Sequence, residues 1–135
     1  MKIIVLDTET LGVADPRVYN IGWLVYADGN IISKRDYLIK EIYDNEDLMQ
    51  TAYYANKRPI YEEMLADGKC RRIKWSYALR QLARALKDAD GIYAFNSRFD
   101  TRSIAKTCEM IKAKNPTADG ISDIWKGLAN PNITN

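Results

Sequence analysis

The stretch Lys2–Gly12, KIIVLDTETLG, constrains the fold of this chain more than any other. Ile3, Ile4, Val5 and Leu6 form an unbroken apolar run, which predicts a strand over Lys2–Leu6 covered on both faces, as in an α/β sheet. Asp7 and Glu9 follow directly, with Thr8 between them. Strand side chains alternate, so the two carboxylates are expected side by side on one face. They fall at the strand's carboxyl end, where open α/β sheets receive their ligands. Two acids about 7 Å apart repel by roughly 2 kcal/mol at an effective dielectric near 20. A hard divalent cation, Mg²⁺ or Mn²⁺, relieves that repulsion best. Taken alone, Asp-x-Glu is only the polar end of a strand. Its place between an apolar strand and Thr10-Leu11-Gly12, an expected sharp turn, points to a site.

The 135 residues suit one domain, and a hydrophobic content of 47% is normal for a chain with a packed core. A net charge of +2 neither demands nor excludes nucleic acid. No apolar stretch approaches the roughly 18 residues of a membrane span. The first apolar run breaks at Asp7, too early for a secretion signal, so a cytoplasmic location is expected. Cys70 and Cys108 are then expected to be reduced. Histidine is absent.

Val18–Ala27 reads as a long interior strand, with Tyr19, Ile21, Trp23, Val25 and Ala27 on one face and Gly22, Leu24 and Tyr26 on the other. Asp28-Gly29-Asn30 is a hairpin turn, and Ile31–Lys40 returns antiparallel as a charged edge strand. Asp44 or Asn45 caps a helix carrying Glu46 and Asp47 in its first turn and Leu48, Met49, Ala52 and Tyr53 at helical spacing. Pro59 opens a short helix that Gly68 closes. Trp75 to Asp88 forms another, with the stripe Ala78, Leu79, Leu82, Ala83 and Leu86. Gly91–Phe95 is a strand parallel to the first, followed by an amphipathic helix to about Lys114 with Phe99, Ile104, Cys108 and Ile111 inward. The fold class is therefore α/β, a mixed sheet flanked by helices.

Lys69–Lys87 carries seven cations and no acid, with Trp75 and Tyr77 among them. A phosphate-contacting patch is one reading. An ordinary solvated helix face is the favoured one, with Trp75 as a core anchor. Asp100 also has two readings. Ser97-x-x-Asp100 has the form of a capping box, in which Asp100 satisfies a backbone amide. Alternatively Asp100 is a third metal carboxylate, with Asn96 four residues earlier on the same side.

VLDTETLG, a hairpin, helices and then YAFNSRFD together resemble the DEDD superfamily of 3′→5′ exonucleases, which includes polymerase proofreading subunits. The resemblance covers almost the whole chain and implies a ribonuclease H-like sheet. It also implies two-metal hydrolysis of DNA or RNA from the 3′ end, and a polymerase or another chain as a further partner. Asp7 and Glu9 match the first motif. Asn96 and Asp100 match the second, with Phe99 before the acid. The resemblance assigns catalysis and metal binding, with Mg²⁺ or Mn²⁺, to Asp7, Glu9 and Asp100. It sets Thr8, Thr10 and Leu11 against the terminal nucleotide, Leu11 as a wedge beside its base, and Asn96 on the terminal sugar. Leu11 departs from the family's usual residue, and Phe95 stands where many relatives have His. Ile121–Ile124 resembles the short strand after the second motif. The third motif, His or Tyr with an Asp five residues on, is missing: no histidine exists, no Tyr follows Tyr93, and Asp119 and Asp123 are misplaced for the role. The expectation is a domain incomplete at its carboxyl end. An inactive nucleic-acid-binding or partner-docking module of the same fold, or a site completed by another chain, are the alternatives. Haloacid-dehalogenase-type phosphatases also begin with a strand and an acidic pair, but need Asp and Thr where this chain has Glu9 and Leu11.

Overall fold

A computed structural model describes residues 1–52, 54–114 and 133–134. Strands β1 (Lys2–Thr10), β2 (Val18–Ala27), β3 (Asn30–Ile39), β4 (Arg71–Ile73), β5 (Gly91–Tyr93) and β6 (Ile133–Thr134) form one mixed sheet in the order β4-β3-β2-β1-β5-β6. The α/β class and the antiparallel hairpin extension agree with the sequence reading.

β1 runs four residues past the predicted Leu6, because Asp7, Thr8 and Glu9 stay in register with Gly22, Ile21 and Asn20 of β2 before a bulge at Glu9–Thr10. Its burial corrects the sequence reading. Ile4, Leu6, Thr8 and Thr10 are buried, whereas Val5 on the opposite face is 41% exposed. The apolar run reflects the strand preference of β-branched residues more than two covered faces. The helices α4 (Trp75–Leu86) and α5 (Ser97–Lys114) are tied to each other where the Trp75 indole Nε1 donates to Cys108 Sγ at 3.3 Å. Edge-to-face contacts from Trp23 to Tyr37 and from Tyr37 to Tyr77 bind β2, β3 and α4 into the same core. Trp75 is fully buried, as a core anchor should be, and both cysteines are free and buried.

The hairpin turns on Asp28 and Gly29, whose φ values of 52° and 83° are both left-handed, the geometry that matches strand twist in a two-residue loop. β3 is not an edge along its whole length: β4 pairs in parallel with Tyr37–Ile39. β4 escaped the sequence reading because three residues, two of them arginine, carry no strand pattern. α1 (Lys40–Tyr43) was likewise unforeseen. Asn45 caps α2 (Glu46–Gln50), its Oδ1 accepting from Leu48 N–H at 3.1 Å. Tyr53, assigned to that helix by spacing, lies outside the described residues. A 3₁₀ turn at Ala55–Lys57 leads into α3 (Arg58–Ala66), with Pro59 in its first turn and Gly68, at φ 71°, beyond its end. β5 is two residues shorter than predicted but runs parallel to Ile3–Val5, as expected. β6 pairs in parallel with β5. Ile121–Ile124, Asp119 and Asp123 lie outside the described residues. Among the described residues no helix is long and apolar enough to cross a membrane.

Candidate functional site

The alternation of β1 puts Asp7 and Glu9 on its open face, Asp7 exposed and Glu9 half-buried, near the strand's carboxyl end. The register builds outward from them. Gly22 stands opposite Asp7, and Asp36 of β3 stands opposite Gly22. Asn20 stands opposite Glu9. With no side chain at Gly22, the strands leave a groove of about 270 Å³ lined by Asp7, Asn20, Gly22 and Asp36, with Lys34 and Arg35 also on its walls. Asn20 Nδ2 donates to Asp36 Oδ1 at 2.6 Å and to the Tyr37 carbonyl at 3.0 Å. Partial burial pushes the Asp7 carboxyl above its ordinary range, the charge of Asp100 adds to the effect, and the Thr8 amide opposes it. Burial and then Asp7 do the same to Glu9. Lys57, just before α3, pulls both back down.

Asp100 is 4% exposed in the first turn of α5. Its Oδ1 accepts from Thr8 N–H at 3.2 Å and from Thr8 Oγ1–H at 2.5 Å. The physical reason is an orphaned amide. β5 pairs with β1 only as far as Val5. Lys2 and Thr8 lie an even number of residues apart, so both amides point to the β5 side of β1. Asp90 takes the Lys2 N–H at 2.7 Å below that contact, and Asp100 takes the Thr8 N–H above it. Burial raises the Asp100 carboxyl, while the two Thr8 bonds lower it.

The predicted site residues are thus divided. Asp7 and Glu9 share a face. Asp100 is near enough for its charge to act on both, but its bound oxygen serves the backbone of β1. Among the described residues no group of three or more His, Cys, Asp or Glu side chains is gathered closely enough to hold a metal ion. Hard carboxylate oxygens from Asp7 and Glu9, each disfavoured as a bare charge by burial and by its neighbours, fit a divalent cation, and Oδ2 of Asp100 has no hydrogen-bond partner among the described residues.

Thr8 and Thr10 are buried, and the Thr10 hydroxyl donates to the Gly12 carbonyl at 3.4 Å. Leu11 is 2% exposed within the core, and its amide bonds the Arg17 carbonyl, so its side chain faces inward where a wedge must face outward. Asn96 is exposed and its Oδ1 accepts from Phe99 N–H at 3.4 Å, so Asn96 caps α5 and its amide nitrogen stays available. Phe99 is half-buried under Arg102 and not in the core. Phe95 is 98% exposed beside Asn96. Lys57, Asp36 and Asn20 were not singled out from sequence. Only strand register could have brought the last two to Asp7 and Glu9, and nothing in the sequence signals Lys57. No model of a known protein family matches the chain, and no curated protein matches it.

Proposed function

We propose that the open face of β1 is a divalent-metal site for hydrolysing phosphodiester bonds at the 3′ ends of DNA or RNA, on a ribonuclease H-like sheet. One observation carries the reading: Asp7 and Glu9 project side by side at the carboxyl end of a central strand, next to the first turn of α5. In this reading Asp7 and Glu9 would hold Mg²⁺ or Mn²⁺, and Asp100, whose charge acts on both, would support the pair. A divalent cation held there would supply polarisation of the phosphate and a lowered pKa for a water. The chain's own part is to position and exclude. The Asn96 amide nitrogen donates to the terminal sugar, and the exposed Phe95 ring offers a stacking surface to a base. Lys57 supplies a positive charge close to both carboxylates.

A second reading, a nucleic-acid-binding or partner-docking module without turnover, is favoured by the engagement of Asp100 with Thr8. Calorimetric titration with Mn²⁺, paired with digestion of a 3′-labelled single strand, separates the two. Metal binding and 3′ trimming that are both lost in Asp7→Asn support the first. Metal binding without trimming supports the second. Absence of Mn²⁺ binding overturns the metal site itself.

A further inference from the structure

On the other face of the sheet, between the β2–β3 hairpin and α4, runs a second groove of about 250 Å³. We infer that it binds the phosphates of a nucleic-acid strand, on the opposite face of the sheet from the carboxylate pair. Lys2, Arg35 and Arg84 line it, Ser33 and Gln81 add neutral hydrogen-bonding groups, and no carboxylate is among the lining residues. Some cations elsewhere are matched, as Arg17 is by Asp15 at 2.6 Å and Arg72 by Asp44 at 3.2 Å. Among the described residues Lys2, Arg35 and Arg84 have no acidic partner. Lys2 Nζ donates to the Lys87 carbonyl at 2.8 Å and Arg35 Nη1 to the Lys34 carbonyl at 3.0 Å, which fixes both stems and leaves their charge unbalanced.

The ligand class follows from the arrangement. Like charges gathered without a counter-ion are relieved by an anion, and guanidinium groups match phosphate oxygens in pairs. The positive surface continues beyond the groove. Arg80 and Arg84 lie four residues apart on one side of α4, Lys87 follows at its C-cap, and positions 70–87 contain no acid. A line of cations suits a polyanion better than a single phosphate. Lys2 and Asp7 are about 17 Å apart along β1, and the two grooves open on opposite faces. A strand touching both must therefore extend well past its terminal nucleotide. This names a second contact for the substrate class proposed above, and rests on that reading for the choice of nucleic acid.

The test is the salt dependence of binding to a fluorescent single-stranded oligonucleotide, using wild type, the double variant Lys2→Gln/Arg84→Gln, whose residues line only the second groove, and the control Lys112→Gln near the end of α5. The slope of log affinity against log salt is expected to fall by about 2 in the double variant. It should fall by no more than about 0.5 in the control, and recover with Lys2→Arg/Arg84→Lys. Mn²⁺ affinity and dinucleotide cleavage should stay at wild-type levels in the double variant. A slope matching the control, no oligonucleotide binding by wild type, or equal loss of binding to anionic lipid vesicles overturns the inference. An inactive wild type whose slope still falls in the double variant sinks hydrolysis and keeps the groove. An active one whose slope does not move sinks the groove alone.

Discussion

Asp100 holds Thr8 twice through one carboxylate oxygen, by the main-chain amide and by the hydroxyl, and so closes the sheet where β5 stops short of the end of β1. Both partners are buried. Asp100→Ala should therefore leave a buried amide and hydroxyl unpaired and cost about 2–3 kcal/mol in urea denaturation. Asp100→Asn keeps an acceptor oxygen and should cost about 1 kcal/mol or less. Equal stability of the Ala variant and wild type would show that the bonds are not made in solution.

Burial holds the Asp36 carboxyl above its ordinary range, against the opposing effects of Asn20 and Lys34. A carboxyl raised on folding keeps its proton to higher pH in the folded state than in the unfolded one. Its contribution to stability is complete below about pH 4, where both states are protonated, and is lost as the pH rises through the folded value. Asp7, Glu9 and Asp100 are shifted the same way. Stability should decline as the pH rises above about 4, and Asp36→Asn, which cannot titrate but still accepts from Asn20, should decline less steeply. A variant with the wild-type slope would contradict the assignment.

Gly68 has a φ of 71°, whereas Gly12 has no left-handed backbone and open space where a Cβ would stand. Gly68→Ala should lower stability by about 1–2 kcal/mol. Gly12→Ala should be neutral or slightly stabilising. Thermal unfolding of the two variants side by side provides the check, and equal losses would count against the described turn.

Burial pushes the Cys70 and Cys108 thiols up to about 11. At pH 8 both are protonated and enclosed, so neither should react with a disulfide reagent until the chain unfolds. Release of a thiol signal from the native protein within the mixing time would refute this.

What could be read from the sequence follows from how local each signal is. The bounds of β2, the turn at Asp28–Gly29, the Asn45 cap and the Trp75 anchor depend on neighbours within a few residues, and each appears where the pattern puts it. The pairing of Asp7 with Glu9 needs only strand alternation. Asp100 is different: its two readings differ in a contact across 92 residues of chain, and the amide it satisfies is orphaned only because β5 is short. The helix-cap reading placed Asp100 on an amide of its own helix, and the amide it bonds belongs to β1. Leu11 was read from a family pattern, while its burial depends on how the loop folds back onto Arg17. β4 and β6, of three and two residues, are too short to show a period, and partner strands alone define them.

The outer margin of β3 from Asn30 to Asp36 has no neighbouring strand among the described residues, and it carries Ile31 and Ile32 in full view of solvent. Lys34 and Arg35 are its guards against self-association. A chain with both neutralised would expose a ready template for backbone pairing with its own copies, and concentrated samples of it should cloud while the parent stays clear.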